Sequence, residues 1–160
     1  MKDNAQSGFT LIEILVTMLV MAIGFMGLAA LQTTGLQQSQ STYFRTQADI
    51  LARDIADRMR ANRFGVLSGS YEFAGAAVPA DQGCVASGAD CTELEMATQD
   101  LHEWMLRVQT LPSGDATVVA NGSLQTVTIM WDELRTGAAG TNCDPNDPAD
   151  LACLVINVEI

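Results

Sequence analysis

One uninterrupted apolar segment near the start of the chain limits how the rest can fold. Residues 9–31 read FTLIEILVTMLVMAIGFMGLAAL and contain a single charged side chain, Glu13. As a helix, this segment would extend about 34 Å, enough to cross a bilayer core of about 30 Å. A buried core helix is the alternative, but such helices rarely stay apolar on every side over this length. The sequence therefore predicts a membrane-spanning helix at residues 9–31.

The residues after this segment argue against a cleaved secretory signal. Such a signal has an apolar run of about 7–15 residues, followed by a small-residue cleavage site. Here the run is longer, and Leu31-Gln32-Thr33 continues a helical pattern. We therefore expect the helix to be retained. Lys2 is the only basic residue before it, so charge alone does little to orient it in a membrane.

The acidic charge lies in a different part of the chain. The 160 residues carry a formal net charge of −11. Residues 64–160 combine two arginines with 14 acidic residues, a net charge of −12. Such a domain repels anionic lipid and nucleic acid, because phosphate recognition requires a basic surface. We expect no nucleic-acid partner. Hydrophobic residues make up 48% of the chain, which excludes a disordered protein.

The helical pattern continues beyond the apolar segment and becomes amphipathic. No proline occurs before Pro79, and Gly65 is the predicted stop. We predict one helix from about Phe9 to Asn62, with a membrane half at residues 9–31 and an amphipathic half at residues 32–63. Its apolar side chains recur at spacings of mostly three, four and seven, which predicts packing on a soluble domain: Leu36, Tyr43, Phe44, Leu51, Ile55 and Met59.

A loop and a second helix are predicted next. Residues 64–91 are rich in glycine, alanine and serine and show little periodicity, which is typical of a long connection. Thr92 and Glu95 have the spacing of a capping box, so a helix should begin there and end before Pro112. One face of this helix is predicted to be apolar: Leu94, Leu101, Trp104, Met105 and Val108.

Three strands complete the predicted domain. Residues 116–120 and 123–131 flank Asn121-Gly122, a hairpin turn signal, and Leu124, Val127, Ile129 and Trp131 are assigned to one side of the second strand. Residues 154–160 form a third strand. We therefore expect an α+β domain at residues 64–160, with three or four antiparallel strands packed on the long helix.

The residues at the start of the apolar segment resemble a known processing signal. Ser7-Gly8-Phe9-Thr10-Leu11-Ile12-Glu13 is similar to the type III signal sequence of type IV pilins and type II secretion pseudopilins. The resemblance implies a pilin-like α+β fold with a long N-terminal helix on a small antiparallel sheet. It also implies that prepilin peptidase removes residues 1–8 by cutting between Gly8 and Phe9, and then N-methylates Phe9.

The same resemblance gives Glu13 a role. A carboxylate inside an apolar span costs about 2.5–3.5 kcal/mol on insertion scales, although near a helix start it can reach the headgroups and is favoured by the helix dipole. In pilins, the acid at this position pairs with the free amine at the Phe9 position of a neighbouring subunit. We therefore expect Glu13 to supply the charge for subunit assembly.

Two further segments resemble one particular group of pilins. Residues 51–62 read LARDIADRMRAN, and together with residues 27–32, GLAALQ, they resemble the minor pilins called type IV pilus modification proteins, or PilV. This implies other minor pilins, the major pilin and prepilin peptidase as partners. It also implies a structural subunit that helps to initiate or promote pilus assembly in a tip or priming complex, supporting twitching motility and adhesion.

Two other functions stay open at this point. A minor pseudopilin of type II secretion has a leader of the same form, and only residues 51–62 argue against it. A membrane-tethered periplasmic binding module or enzyme is a more distant alternative, because no catalytic constellation is evident. His102 is the only histidine, and no second titratable group is spaced to form a nucleophile and base with it. We expect no enzyme, no catalytic residues and no cofactor.

Four cysteines indicate the compartment. They are Cys84, Cys91, Cys143 and Cys153, and their spacing fits neither a zinc site nor a redox pair. An even number on an exported domain favours disulfides, with three possible connectivities. Pairing of sequence neighbours is preferred. Oxidised cysteines would place the domain in the periplasm, anchored by one span in the bacterial inner membrane, before the subunit enters the pilus filament.

An acidic loop is the remaining candidate site. Residues 144–150 read DPNDPAD and cluster three carboxylates that can bind calcium. The loop lacks the spacing and glycine of an EF-hand, and proline and aspartate are also common turn residues. We therefore predict no metal site there.

Overall fold

A computed structural model describes residues 9–86, 88, 90–122 and 124–160. The chain divides into two compact units, Met1–Gln40 and Ser41–Ile160, and the long helix α1 (Leu11–Ala61) contributes to both. The predicted leader, residues 1–8, lies outside the described residues. The predicted boundary between the membrane and amphipathic halves, at residues 31–32, stays a prediction.

The first unit contains the apolar part of α1. Every residue from Phe9 to Gln40 is exposed, including Leu36, which the apolar stripe had assigned to a buried face. By length and composition, α1 can cross a membrane, with a mean hydropathy of 2.5 in its most apolar stretch. The hydroxyls of Thr17 and Thr33 donate to carbonyls three residues earlier, so these polar groups are satisfied within the helix.

The second unit buries one face of the remainder of α1. Buried positions recur every three or four residues, the period of a helix that packs along one side. Tyr43 is exposed although the sequence placed it in the stripe, because its neighbour Phe44 occupies the inward position. Three alanines are buried between the large side chains. The buried residues are Phe44, Ala48, Leu51, Ala52, Ile55, Ala56 and Met59.

The long helix ends at Ala61, close to the predicted end at Asn62, and the predicted stop signal Gly65 lies beyond it. A short helix, α2 (Arg63–Leu67), follows at once, and the side chain of Asn62 caps it by accepting a hydrogen bond from the Gly65 N–H at 3.0 Å. A Cβ at position 65 would lie only 2.7 Å from Nδ2 of Asn62. A larger residue would have to displace the capping side chain of Asn62, so Gly65 favours the cap of α2 and does not terminate α1.

The next helix, α3 (Glu93–Val108), confirms the capping box. Thr92 accepts a hydrogen bond from the Glu95 N–H, and the Glu95 carboxylate accepts one from the Thr92 N–H. The predicted apolar face is correct except at Leu94, which is exposed. Leu94 lies where α1 has already ended, since Asn62 donates to the neighbouring Glu93 carbonyl at 2.6 Å. The buried face begins one turn later, at Ala97.

The sheet confirms the predicted α+β class. Strands β1 (Asp115–Asn121), β2 (Leu124–Trp131) and β3 (Ala152–Glu159) are antiparallel in the order β1-β2-β3. Among the described residues, a fourth strand is reduced to one bridge between Phe73 and Val118. Asn121, which the prediction placed in the turn, is the last residue of β1 and pairs with Leu124.

The face of β2 that packs on the helices differs from the prediction by one residue. Alternate side chains of a strand point to opposite faces, so a residue at an even position cannot share the face of Val127. Leu124 is half-buried on the other face, and Gln125 takes its place in the core. Ile129 and Trp131 are buried on the predicted side.

Candidate assembly site

The candidate assembly site is built on the first turn of α1. Phe9 precedes the helix, and its exposed fraction is 81%. The Thr10 carbonyl accepts hydrogen bonds from the N–H groups of Glu13, at 3.1 Å, and Ile14, at 3.4 Å, so helical bonding begins there. Glu13 is therefore exposed in the first turn, where the helix dipole favours a carboxylate. Gly8 lies outside the described residues.

The surroundings of Glu13 are apolar and open. Leu11, Ile12, Ile14 and Leu15 are all at least about half exposed. Glu13 is the only charged residue between positions 9 and 31. A helix that exposes apolar side chains on every side requires lipid or other helices as its neighbours. The site thus combines one carboxylate with a surface suited to membrane or helix packing.

Two family models match the chain. A model described as the prokaryotic N-terminal methylation motif matches residues 3–29, which include Phe9 and Glu13. A model described as type IV pilin Tt1218 matches residues 30–102. The chain is therefore similar to type IV pilins over residues 3–102, and the two matches support a place in that family. A search of curated proteins and a search of solved structures each found no match.

The two family matches indicate how the N-terminal site is processed and used. Pilins are structural subunits, and the methylation motif implies processing by prepilin peptidase and assembly with other pilins. The motif and the apolar helix indicate anchoring in a membrane. The second match covers the distal part of α1, all of α2 and most of α3. The similarity to pilins therefore extends from the N-terminal motif to the helices of the globular unit.

A partly buried arginine joins two helices of the globular unit. Arg58 pairs with Asp54 on α1 at 3.3 Å, and it reaches across to Asp100 at 2.8 Å and Glu103 at 3.0 Å on α3. The hydroxyl of Tyr71 also donates to Asp100. Burial opposes the charge of Arg58, but these acceptors outweigh it and raise its pKa. Burial and the contact with Asp100 raise the pKa of Tyr71 as well.

The loop after β2 holds α1 at the other end of the globular unit. The Ser41 hydroxyl and the Arg45 guanidinium both donate to Glu133. Arg135 lies over the ring of Phe44, 5.5 Å from its centroid. Burial raises the pKa of Glu133, but these two donors outweigh burial and bring the pKa below its usual value.

The buried carboxylate of Asp132 accepts hydrogen bonds from the backbone of this loop. Asp132 is buried, and the N–H of Gly137 donates to its carboxylate at 2.7 Å. Burial alone would raise the pKa of Asp132, but backbone N–H groups of residues 135–138 lower it below the usual value. The carboxylate therefore organises a turn and is not available to a ligand.

Two disulfides close loops of the globular unit. Cys84 is bonded to Cys91 with a Cα–Cα distance of 5.8 Å, and Cys143 to Cys153 with a distance of 5.6 Å. These pairs join sequence neighbours, as the spacing favoured. The second disulfide packs against a small apolar cluster of Met130, Ala138 and Leu151.

The acidic loop uses its carboxylates internally. Asp144 accepts from the Asn146 N–H, Asp147 from the Ala149 N–H, and Asp150 from the Asp144 N–H. Among the described residues, no group of three or more histidine, cysteine or acidic side chains is placed to hold a metal ion. The carboxylates act as turn caps within a loop closed by the disulfide.

His102 serves packing rather than chemistry. Its Nδ1 lies 2.7 Å from the Pro79 carbonyl, and one turn earlier Gln99 accepts from the Gln82 N–H at 2.8 Å. These contacts attach the loop before the first disulfide to α3. Sequence reasoning missed Gln99, Asp100 and Tyr71. The signal available in the sequence was weak: two polar residues, Gln99 and Asp100, directly before the apolar Leu101.

Proposed function

We propose that this protein is a minor pilin, a structural subunit that helps to initiate or promote assembly of a type IV pilus from a tip or priming complex. Through the pilus it supports twitching motility and adhesion. The observation that carries the proposal is the first turn of α1, where Glu13 is the single charge on an exposed apolar helix, one turn from Phe9. The resemblance of residues 51–62 to PilV supports the minor-pilin assignment over a major pilin.

The processing steps follow from this proposal. Prepilin peptidase cuts between Gly8 and Phe9, removes residues 1–8 and N-methylates the new amine of Phe9. Residues 9–31 then anchor the subunit as a single span in the bacterial inner membrane, residues 32–63 continue the helix, and residues 64–160 form the periplasmic domain. The two disulfides support this orientation, because disulfides persist in oxidising compartments.

Glu13 acts in assembly by charge pairing. A carboxylate and an amine that are each alone in an apolar helix bundle are both costly, whereas pairing them compensates much of that cost. Glu13 of one subunit therefore pairs with the amine of Phe9 on a neighbouring pilin during insertion into the filament. Partners are other minor pilins and the major pilin.

The first test is mass spectrometry of the N-terminus in sheared, purified pili. The proposal expects a chain that begins at N-methylated Phe9 in the pilus fraction. An intact Met1 confined to the inner membrane would contradict it. Deleting the gene separates the two filament systems: loss of surface pili with normal exoprotein secretion supports a pilin, and the reverse result supports a type II pseudopilin.

A substitution tests the role of Glu13. We expect Glu13→Ala to be cleaved and methylated normally, because the cut site is unchanged, but to be strongly depleted from sheared pili. Quantitative immunoblots of membrane and pilus fractions measure this, with Thr17→Ala as a matched control on the same apolar helix. Wild-type amounts of the Glu13 variant in pili would show that the pairing role is wrong.

A further inference from the structure

The two edges of the sheet differ in how well they are covered. At the outer edge of β1, Phe73 and Val118 exchange backbone hydrogen bonds of 2.9 and 2.8 Å, so the connection between α2 and α3 covers part of this edge. β3 lies at the other edge, and β2 is its only strand neighbour among the described residues. An unpaired strand presents a row of N–H and C=O groups with which another chain can pair.

The register of the sheet identifies the backbone groups on the outer edge of β3. Consecutive residues of a strand direct their N–H and C=O groups to opposite sides. Val118 bonds Phe73, so its groups point away from β2. The groups of its partner Val127 therefore point toward β3, where Ile156 lies opposite. By alternation, the outward groups of β3 belong to the following residues, which we call the β3 edge: Cys153, Val155, Asn157 and Glu159.

The β3 edge has no backbone partner in the described part of the chain. The Leu151 N–H donates to the Gly140 carbonyl at 2.8 Å on the same side, but this cover ends before β3 begins. None of the outward groups further along takes part in a backbone hydrogen bond. β3 also lacks the usual protection of an edge strand: it has no lysine or proline, its one charge is at Glu159, and its register with β2 has no bulge.

The side chains beside the β3 edge are suited to a further strand. On the face that packs in the core, Leu154, Ile156 and Ile160 are apolar and only half-buried. On the opposite face, Val155 has an exposed fraction of 53%, and Glu159 forms no ion pair among the described residues. A strand that alternates apolar and polar residues would cover the first row and could place a cation near Glu159.

A second copy of the chain does not fit the β3 edge. Antiparallel pairing of two β3 strands has a two-fold axis perpendicular to the sheet, so the α1 segments in the two cores would run in opposite directions. Subunits anchored in one membrane by α1 run in the same direction, and the apolar helix indicates such anchoring. Parallel pairing would turn one sheet over and set the apolar row of one copy against the polar face of the other. The partner strand therefore belongs to a different polypeptide.

We propose that the β3 edge binds an extended strand of another protein, antiparallel to β3, which becomes the fourth strand of the sheet. Backbone hydrogen bonds to Val155 and Asn157 supply affinity, and the alternating side chains supply specificity. The partner strand is neutral or basic, because residues 64–160 combine two arginines with 14 acidic residues. This inference goes beyond the proposed minor-pilin function and does not require it.

Hydrogen exchange followed by NMR tests the edge in the purified full-length chain in detergent micelles. The amides of Leu154, Ile156 and Val158 should exchange slowly, because they bond β2, whereas those of Val155 and Asn157 should exchange fast. The probe is the synthetic peptide TVKVTVKVT, which alternates valine with polar residues and carries two lysines. We expect it to slow exchange at Val155 and Asn157 at least about tenfold.

A proline variant tests whether the outward N–H is needed. Val155→Pro removes this donor but should leave β3 folded, since proline is tolerated where the N–H of an edge strand faces solvent. Slow exchange at Ile156 checks that the fold is intact. The variant should weaken peptide binding at least about tenfold, or about 1.4 kcal/mol. Val155→Thr, which keeps the N–H and a β-branched side chain, is the matched control and should bind like the wild-type chain.

Methylated peptides test the same contact without changing the protein. In an antiparallel pair, opposite residues share a face, so the polar residues of the peptide lie opposite Val155 and Asn157 and bond them. N-methylation of the two lysine amides should therefore abolish binding. N-methylation of two valine amides, which point away from β3, should leave it intact.

The opposite results overturn the inference. Slow exchange at Val155 without peptide would show that the edge is already covered, and protection that rises with protein concentration would identify a second copy as the occupant. No protection by the peptide, equal binding to Val155→Pro, or equal binding of the two methylated peptides would show that no strand pairs with this edge. The proposed function is judged separately, because N-methylated Phe9 in pili does not depend on these results.

Discussion

Single side chains of the globular unit have roles that their neighbours in sequence do not reveal. Trp104 and Trp131 are both fully buried, yet their indole N–H groups differ. Trp104 Nε1 donates to the Leu51 carbonyl on α1 at 2.8 Å, whereas Trp131 Nε1 has no hydrogen-bond partner among the described residues. Two side chains of the same type therefore contribute differently to stability.

This difference predicts an asymmetric pair of substitutions. Both Trp104→Phe and Trp131→Phe lose packing, but only the first also loses a hydrogen bond, which contributes about 1 kcal/mol. We therefore expect the free energy of unfolding to fall by about 1 kcal/mol more for Trp104→Phe. Urea unfolding followed by fluorescence of the remaining tryptophan measures it. Equal losses for the two variants would contradict the assigned hydrogen bond.

Asp132 provides a pH-dependent prediction. Its pKa is lowered in the folded chain, so it stabilises the fold above the unfolded value of about 3.9, and this stabilisation is lost as the pH falls through the lower folded pKa. Asp132→Asn turns an amide donor toward backbone N–H groups and should cost about 1–3 kcal/mol at about pH 7.

The cost of Asp132→Asn should shrink at about pH 2, where the wild-type carboxyl group is increasingly protonated. Urea unfolding of both proteins at the two pH values measures the change. Asp115→Asn is the control at the half-buried start of β1, where a smaller effect is expected because its oxygen accepts from only two backbone N–H groups. A cost that is constant with pH would contradict the charged role of Asp132.

At the scale of elements, the two disulfides have unequal surroundings. Cys84–Cys91 closes a loop in the long connection between α2 and α3, whereas Cys143–Cys153 ties the acidic loop to β3 and packs against an apolar cluster. Closing loops of these lengths contributes about 2–3 kcal/mol each in the chain-entropy model. Packing against the apolar cluster adds further stability only at Cys143–Cys153.

We therefore expect loss of the second disulfide to be the more costly change. Replacing Cys143 and Cys153 by serine should lower the free energy of unfolding by more than about 3 kcal/mol, while replacing Cys84 and Cys91 should cost about 2 kcal/mol. Urea unfolding of the two double variants under non-reducing conditions makes the comparison. A larger loss for the first pair would show that the apolar cluster does not depend on its disulfide.

At the scale of the whole globular unit, Arg58 couples the elements. Its side chain is 24% exposed and contacts carboxylates on both α1 and α3, and Tyr71 adds the connecting segment through Asp100. Removing it would leave Asp100 and Glu103 close together with no cation between them. Removing one partner of an ion pair lowers stability strongly when the remaining charge is buried. The loss of stability is smaller when water reaches that charge.

We expect Arg58→Ala to destabilise the fold by about 2–3 kcal/mol, discounted from the value for fully buried pairs because the site is partly exposed. Arg53→Ala, which breaks the exposed Asp49–Arg53 pair on the same helix, should destabilise the fold far less, because water screens exposed ion pairs. Thermal unfolding of both variants measures the contrast. Similar decreases in Tm for the two variants would show that Arg58 contributes no more to stability than an exposed arginine does.

The sequence by itself determined the features that depend on near neighbours. The apolar segment, the residues around Phe9 and Glu13, the capping box at Thr92 and the strands all follow from patterns that span a few residues. A capping box is complete within four positions, and the alternation of β2 repeats every two. The similarity to type IV pilins also follows from the sequence.

Only the tertiary structure decided which surfaces meet. Asp100 and Glu103 lie 42 and 45 residues from Arg58 in the chain, so no local pattern predicts that these side chains meet. The exposure of Leu94 and the burial of Gln125 also depend on how α3 and the sheet pack on α1. Local patterns fix each element, but long-range packing fixes the partner of each side chain.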